Sequence, residues 1–131
     1  MLREEFKEVL LKKVDDTNKP VSMQMQPIWG YQCRLNAEAT HIQPVHIADV
    51  GVIISNHNNG MEDLTPVTVD DIINSLNFES EEKFDVVFEI WGWDKHTKTN
   101  KVLISTSPAV HKVGVFETDD GVIILIKGVS F

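Results

Sequence analysis

The chain has 131 residues, of which 42% are hydrophobic, 24% charged and 8% aromatic. This balance is typical of one globular domain and excludes disordered, collagen-like and coiled-coil classes. The formal net charge of −8 repels phosphate and argues against direct nucleic-acid binding. The one cysteine, Cys33, cannot form an internal disulfide, and neither a signal peptide nor an apolar run of bilayer length is recognisable. We therefore expect a single cytoplasmic domain over residues 1–131, with no contact to a membrane.

The first predicted element is an amphipathic helix. Apolar side chains recur at spacings of three and four, from Leu2 through Phe6 and Leu10 to Val14, while charged side chains lie mostly opposite. Residues 2–14 are therefore expected to form a helix that packs on a sheet. The polar stretch that follows is expected to end it before the chain becomes extended.

After this helix the hydrophobic period changes to two, which predicts strands. The predicted strands cover residues 21–26, 29–35, 45–54, 84–93, 101–104, 113–117 and 122–127. Gly51 is interpreted as a bulge in the third strand, and Asp120 with Gly121 as a type I′ turn in the last hairpin. A polar loop at 94–100 joins the fourth and fifth strands. About seven strands in an antiparallel sheet, with two helices, predict the α+β class.

A second, short helix is predicted near residues 69–77. Thr68 and Asp71 have the spacing of a capping box, with Asp in place of the usual Glu or Gln. An apolar stripe follows at helical spacing and is expected to anchor the helix to the core: Val69, Ile72, Ile73 and Leu76.

Most of the negative charge lies between residues 61 and 85, where eight carboxylates accompany one basic side chain, Lys83. One interpretation is a solvated face that maintains solubility. The other is a recognition surface that attracts a basic protein or a cation. The carboxylates assigned to that surface are Asp70, Asp71, Glu79, Glu81 and Glu82.

Two tryptophans, Trp91 and Trp93, share one face of the predicted strand at 84–93. That face is opposite the apolar side chains of the same strand, so the indoles need a covering helix, a partner or a ligand. Exposed tryptophans are frequent interface anchors. We therefore assign both to a partner-binding surface, with burial under the helix at 2–14 or under the C-terminal segment as the alternative.

No sequence pattern predicts a catalytic centre, a cofactor or a metal site. The histidines His41, His46 and His57 lack the paired spacing of zinc ligands. Cys33 falls on the apolar face of a strand and has no nucleophile signature around it. The glycines form neither a dinucleotide fingerprint nor a phosphate-binding loop, and no EF-hand pattern is present. We expect no cofactor and no structural metal.

These observations predict a small, acidic, non-enzymatic protein that binds a protein partner, for which a basic surface is complementary. Inhibitors and immunity-like proteins, including phage-encoded ones, work in this way. One alternative is a small ligand-binding domain or enzyme whose pocket uses His41, His46, His57, or Asp94 with His96. A second alternative is an assembly component that forms homo-oligomers through its sheet edges.

Overall fold

The structure is a computed structural model that describes residues 1–27, 37–39, 43–47, 51–56, 67–77 and 85–129. The described part contains two helices and eight strands, which agrees with the predicted α+β class but exceeds the predicted seven strands. In chain order they are α1 (Arg3–Lys13), β1 (Val21–Pro27), β2 (Ala37–Ala39), β3 (Gln43–Ile47), β4 (Gly51–Ser55), α2 (Val69–Leu76), β5 (Asp85–Asp94), β6 (Thr99–Thr106), β7 (Val113–Glu117) and β8 (Val122–Val129). The predicted strand at 29–35, with Cys33, lies outside the described residues.

The strands form two four-stranded sheets rather than the single antiparallel sheet predicted. The first sheet has the strand order β2-β1-β8-β7, and the second sheet has the order β3-β4-β5-β6. In each sheet the two central strands are parallel, and each outer strand is antiparallel to its neighbour. A parallel pair needs a long connection, which α2 supplies between β4 and β5. Hydrophobic alternation identifies a strand but not its partner, so the sequence could not separate the two sheets.

Helix α1 forms where the sequence predicted it. Its acidic first turn and basic last turn suit the helix dipole. Phe6 and Leu10 are fully buried, as their spacing predicted. The Phe6 ring packs edge-on against Phe88 of β5, with ring centroids 5.3 Å apart and an interplanar angle of 84°. Helix α1 therefore packs against the second sheet through this aromatic pair.

Helix α2 and its predicted capping box are confirmed. The Thr68 side chain accepts a hydrogen bond from the Asp71 backbone, and the Asp71 side chain accepts one from the Thr68 backbone. The apolar stripe is buried along its whole length, at Val69, Ile72, Ile73 and Leu76. Local sequence was sufficient here because capping and amphipathicity both act within two helical turns.

The predicted strand at 45–54 is a hairpin of two antiparallel strands, β3 and β4, with Ile47 opposite Gly51. Gly51 begins β4 and is not the predicted bulge. Its φ of 126° is a conformation that other residues rarely adopt. A continuous apolar run contains no signal for a chain reversal inside it, which explains the error.

The β7–β8 hairpin is confirmed, but its predicted type I′ turn is wrong. That turn needs a positive φ at both central residues, and no residue from 118 to 121 has one. Instead, the Thr118 amide donates to the Gly121 carbonyl at 2.8 Å, and the Thr118 hydroxyl accepts from the Gly121 amide at 3.1 Å. A side-chain oxygen thus takes the place of a second backbone acceptor.

Both helices and both sheets contribute to one cluster of buried hydrophobic side chains within the described residues. The largest fully buried members are Phe6, Leu10, Met23, Met25, Ile54, Ile72, Leu76, Phe88, Ile90, Ile124 and Ile126. An α+β single domain fits this arrangement. Neither helix of the described part has the length and apolar character needed to cross a bilayer.

Candidate functional site

Three segments that are distant in the sequence meet at one end of the first sheet. They are the loop after α1, the start of α2 and the β7–β8 turn, at residues 15–20, 68–71 and 118–121. Backbone hydrogen bonds join them: the Asp70 amide donates to the Thr17 carbonyl at 3.0 Å, and the Val122 amide donates to the Pro20 carbonyl at 2.9 Å. We call this end of the molecule the acidic pole.

Each of the three segments contributes two exposed aspartates to the acidic pole: Asp15, Asp16, Asp70, Asp71, Asp119 and Asp120. These carboxylates outnumber the nearby ammonium groups of Lys12, Lys13 and Lys19. The sequence predicted Asp70 and Asp71 as site residues and missed the other four. Their signal was hidden because residues 1–19 and 86–131 each hold equal numbers of basic and acidic side chains.

Glu117 connects the loop after α1 to the β7–β8 hairpin through hydrogen bonds. Its carboxylate accepts hydrogen bonds from the Asp15 amide at 2.9 Å and the Asp16 amide at 3.0 Å. Lys19 Nζ lies 3.3 Å from the same carboxylate and donates to the Thr118 carbonyl at 2.7 Å. The hydrogen bonds from Asp15 and Asp16, helped by the Lys19 ammonium, hold the pKa of Glu117 below its usual value against a smaller effect of burial.

Two of the six aspartates also stabilise the fold. Asp71 Oδ2 accepts a hydrogen bond from the Thr68 amide at 2.9 Å, and Asp16 Oδ1 accepts one from the Asn18 amide at 3.0 Å. The side chains of the other four make no hydrogen bond or ion pair with the described part of the chain: Asp15, Asp70, Asp119 and Asp120. These four carboxylates are therefore available to a partner.

An apolar cleft of about 310 Å³ opens beside one of these aspartates, Asp120. It lies where β1 and β8 begin, and its lining includes Pro20, Asp120, Gly121 and Ile123. The chain segments around Pro20 and Gly121 approach closely here. A Cβ at position 121 would lie only 2.8 Å from the Pro20 carbonyl oxygen. The cleft thus combines apolar walls with a carboxylate at its rim.

Phe116 extends the apolar surface beyond the cleft. Its side chain is 49% exposed, although its neighbour Val115 is buried, so Phe116 points to the solvent side of the first sheet. Its cross-strand partner is Ile123, which lines the cleft. Sequence analysis did not select Phe116. The sequence did contain a signal for its exposure, because Val113 and Val115 define the buried face of the strand and Phe116 falls on the opposite face.

Trp91, predicted as a partner anchor, lies on the second sheet and not at the acidic pole. It is half-buried, and its backbone pairs with the Asn56 side chain: the Trp91 amide donates to Asn56 Oδ1 at 2.7 Å and its carbonyl accepts from Asn56 Nδ2 at 3.1 Å. The indole Nε1 donates to Glu89 Oε2 at 3.1 Å. The structure therefore does not bring Trp91 together with Asp70 and Asp71.

Several predicted site residues lie outside the described part. These are Glu79, Glu81, Glu82, His41 and His57, together with the side chains of His46, Trp93 and Asp94. His96 is exposed in the β5–β6 turn.

The acidic pole does not have the geometry of a metal centre. Across the described ranges, no three His, Cys, Asp or Glu side chains converge closely enough to hold a metal ion. Its carboxylates point outward from three separate segments, which is an arrangement suited to a broad surface.

Comparisons with known protein families, with curated proteins and with solved structures found no match for this chain.

Proposed function

We propose that this protein is a non-enzymatic binding protein whose acidic pole docks a basic protein partner. The observation that carries the proposal is that Asp120 lines the apolar cleft together with Ile123, whose cross-strand partner is the exposed Phe116. The partner presents an apolar side chain that enters the cleft, flanked by Lys or Arg side chains that meet the aspartates.

The two kinds of contact have different physical roles. Exposed carboxylates raise the association rate, and their effect weakens with salt because the Debye length is about 8 Å at physiological ionic strength. Apolar burial slows dissociation, since aromatic anchors in desolvated pockets contribute most of the binding free energy at protein interfaces. The acidic pole offers both within one surface.

Glu79, Glu81 and Glu82 belong to the same predicted recognition surface, and their participation stays a proposal. A partner contact through Trp91 and Trp93 on the second sheet is likewise a prediction, independent of the acidic pole. Homo-oligomerisation and a histidine-lined pocket are the alternatives; the acidic pole supports neither.

The proposal can be tested with peptides selected from a random display library against the immobilised protein. We expect the enriched peptides to carry Lys or Arg on both sides of an apolar residue. The Asp119→Asn/Asp120→Asn variant should bind the best peptide about tenfold more weakly, mainly through slower association. Its association rate should also depend less steeply on salt.

A matched control removes the same charge elsewhere. Glu8 on α1 and Asp85 on β5 are exposed and lie outside the acidic pole, so the Glu8→Gln/Asp85→Asn variant has the same net charge as the test variant. It should bind the peptide with an affinity close to that of the native protein. Equal losses in the two variants would show that only net charge matters, and an absence of basic residues among the selected peptides would also refute the proposal.

A further inference from the structure

The β7–β8 hairpin has acidic side chains at its turn and basic side chains at its opposite end. In the register of these strands, Val113 pairs with Ile126 and Glu117 pairs with Val122. Residues next to the first pair are five positions from Glu117 and Val122 and therefore lie about 17 Å from the acidic end of the hairpin, at roughly 3.4 Å per residue. Lys112 and Lys127 lie at this far end, and both line a groove.

The groove has a volume of about 380 Å³, which is within the range of small-molecule sites. None of the described residues that line it is acidic, and hydroxyl and ammonium groups dominate its polar surface. The polar side chains are Ser105, Thr106, Ser107, Lys112 and Lys127. We call this feature the basic groove.

Neither lysine of the basic groove is neutralised by the part of the chain that the structure describes. Lys112 and Lys127 are exposed, and their ammonium groups make no hydrogen bond or ion pair there. One carboxylate, Glu89, stands opposite Ser105 across β5 and β6 and accepts a hydrogen bond from the Trp91 indole. A bound anion therefore belongs at the lysine side of the groove, away from Glu89.

The Lys112 side chain lies against Gly128. A Cβ at position 128 would be 3.5 Å from Lys112 Nζ and 3.8 Å from its Cδ and Cε. The φ of Gly128 is 71°, in the left-handed region. The backbone here turns in a way that suits glycine, and the Lys112 ammonium lies against it next to Lys127.

The hydroxyl groups supply hydrogen-bond donors on the other wall. The Met1 amino group donates to Ser107 Oγ at 2.9 Å, which leaves the Ser107 hydroxyl hydrogen to donate to a ligand. Ser105 and Thr106 add two further hydroxyls. Ammonium groups and hydroxyl donors together match a ligand that has several anionic oxygens.

We propose that the basic groove binds a small phosphate-bearing molecule, with Lys112 and Lys127 on the phosphate oxygens and Ser107 as an additional donor. A phosphate dianion fits two ammonium groups better than a monoanion does. The net charge of −8 does not prevent this, because the acidic pole lies farther away than the Debye length of about 8 Å at physiological ionic strength.

The test is a titration of the ¹⁵N-labelled protein with inorganic phosphate at constant ionic strength, followed by amide chemical shifts. We expect saturable shifts at residues 105–107, Lys112 and Gly128. Acetate should bind more weakly than phosphate. A sugar phosphate should produce shifts at the same amides, whereas the unphosphorylated sugar should produce none.

Three variants locate the site. Lys112→Gln/Lys127→Gln should weaken phosphate binding at least about tenfold, whereas Lys112→Arg/Lys127→Arg should retain it. The charge-matched control is Lys95→Gln/Lys98→Gln, in the exposed β5–β6 turn, and it should bind phosphate as the native protein does. Equal weakening in both Gln pairs, shifts spread over the whole surface, or equal affinity for phosphate and acetate would overturn the proposal.

Discussion

The acidic pole and the basic groove lie at the two ends of one hairpin, and they differ in how their charges are engaged. At the acidic pole, Glu117, Asp71 and Asp16 accept hydrogen bonds from backbone amides of other residues. At the basic groove, Lys112 and Lys127 have no such bonds with the described residues. Charge counted along the sequence does not distinguish hydrogen-bonded carboxylates from those without such bonds, and it hides the groove altogether.

The acidic pole and the basic groove also differ in why each contains a glycine. The acidic pole is held together by hydrogen bonds between three segments, and Gly121 is needed there because the chain passes close to Pro20. At the basic groove, Gly128 is suited by its own backbone conformation. Gly121 is needed because a side chain there would have no space, whereas Gly128 is favoured because its φ is positive.

The largest expected effect follows from these two glycines. Gly121→Ala should lower the free energy of unfolding by about 2 kcal/mol, because the new methyl group displaces the Pro20 carbonyl. Gly128→Ala should lower it by about 1 kcal/mol, the cost of a left-handed alanine. Urea unfolding measures both. If Gly121→Ala proves the milder change, the segments at the acidic pole are less tightly joined than the structure indicates.

A smaller effect is expected for the apolar part of the acidic pole. Phe116→Ser should weaken binding of a selected basic peptide about tenfold, while stability changes by less than about 0.5 kcal/mol because the ring is exposed. The matched control is Leu11→Ser on α1, since Leu11 is similarly exposed at 54%. Leu11→Ser should affect neither property. Loss of folding in Phe116→Ser would show that its ring is structural.

A third prediction concerns the Glu117 carboxylate, which holds the loop after α1, in contrast to the aspartates whose side chains make no hydrogen bond. Because the pKa of Glu117 is lowered in the folded state, its stabilisation is complete above the ordinary glutamate pKa of about 4.3 and is lost as the pH falls through the lower folded value. Glu117→Gln should therefore be less stable than the native protein at neutral pH. The difference in Tm should shrink as the pH falls below the ordinary glutamate pKa of about 4.3.

The control for this pH profile is Glu8→Gln, because the Glu8 carboxylate makes no hydrogen bond with the described residues. Its Tm should follow that of the native protein across the whole range. A Glu117→Gln difference that stays constant with pH would mean that the ionised carboxylate is not what stabilises the loop after α1.

The smallest expected effect concerns metal ions. Addition of Ca²⁺ or chelation with EDTA should leave the Tm unchanged, because no three carboxylates of the described acidic pole converge on one point. A rise in Tm with Ca²⁺ that Asp119→Asn/Asp120→Asn abolishes would show that the acidic pole is a cation site and not a docking surface.

The sequence by itself determined the elements whose causes are local. Helix α1 follows from apolar spacing over three turns, and α2 from its capping box and a stripe of four apolar residues. The β7–β8 hairpin follows from two alternating runs separated by a short polar loop, although the type of turn depended on a Thr118 hydroxyl contact that the pattern does not encode. These features involve residues only a few positions apart.

Only the tertiary structure decided which strands pair and which charges meet. The two parallel pairs, β1 with β8 and β4 with β5, join segments far apart in the chain, and hydrophobic periodicity contains no information on partner or direction. The acidic pole brings the loop after α1 together with the start of α2 through a hydrogen bond from Asp70 to Thr17, and the basic groove brings Ser107, which follows the second sheet, together with Lys127 of the first. Charges from distant segments, of which residues 1–19 and 86–131 are each balanced, become a surface only after the backbone hydrogen bonds between those segments have formed.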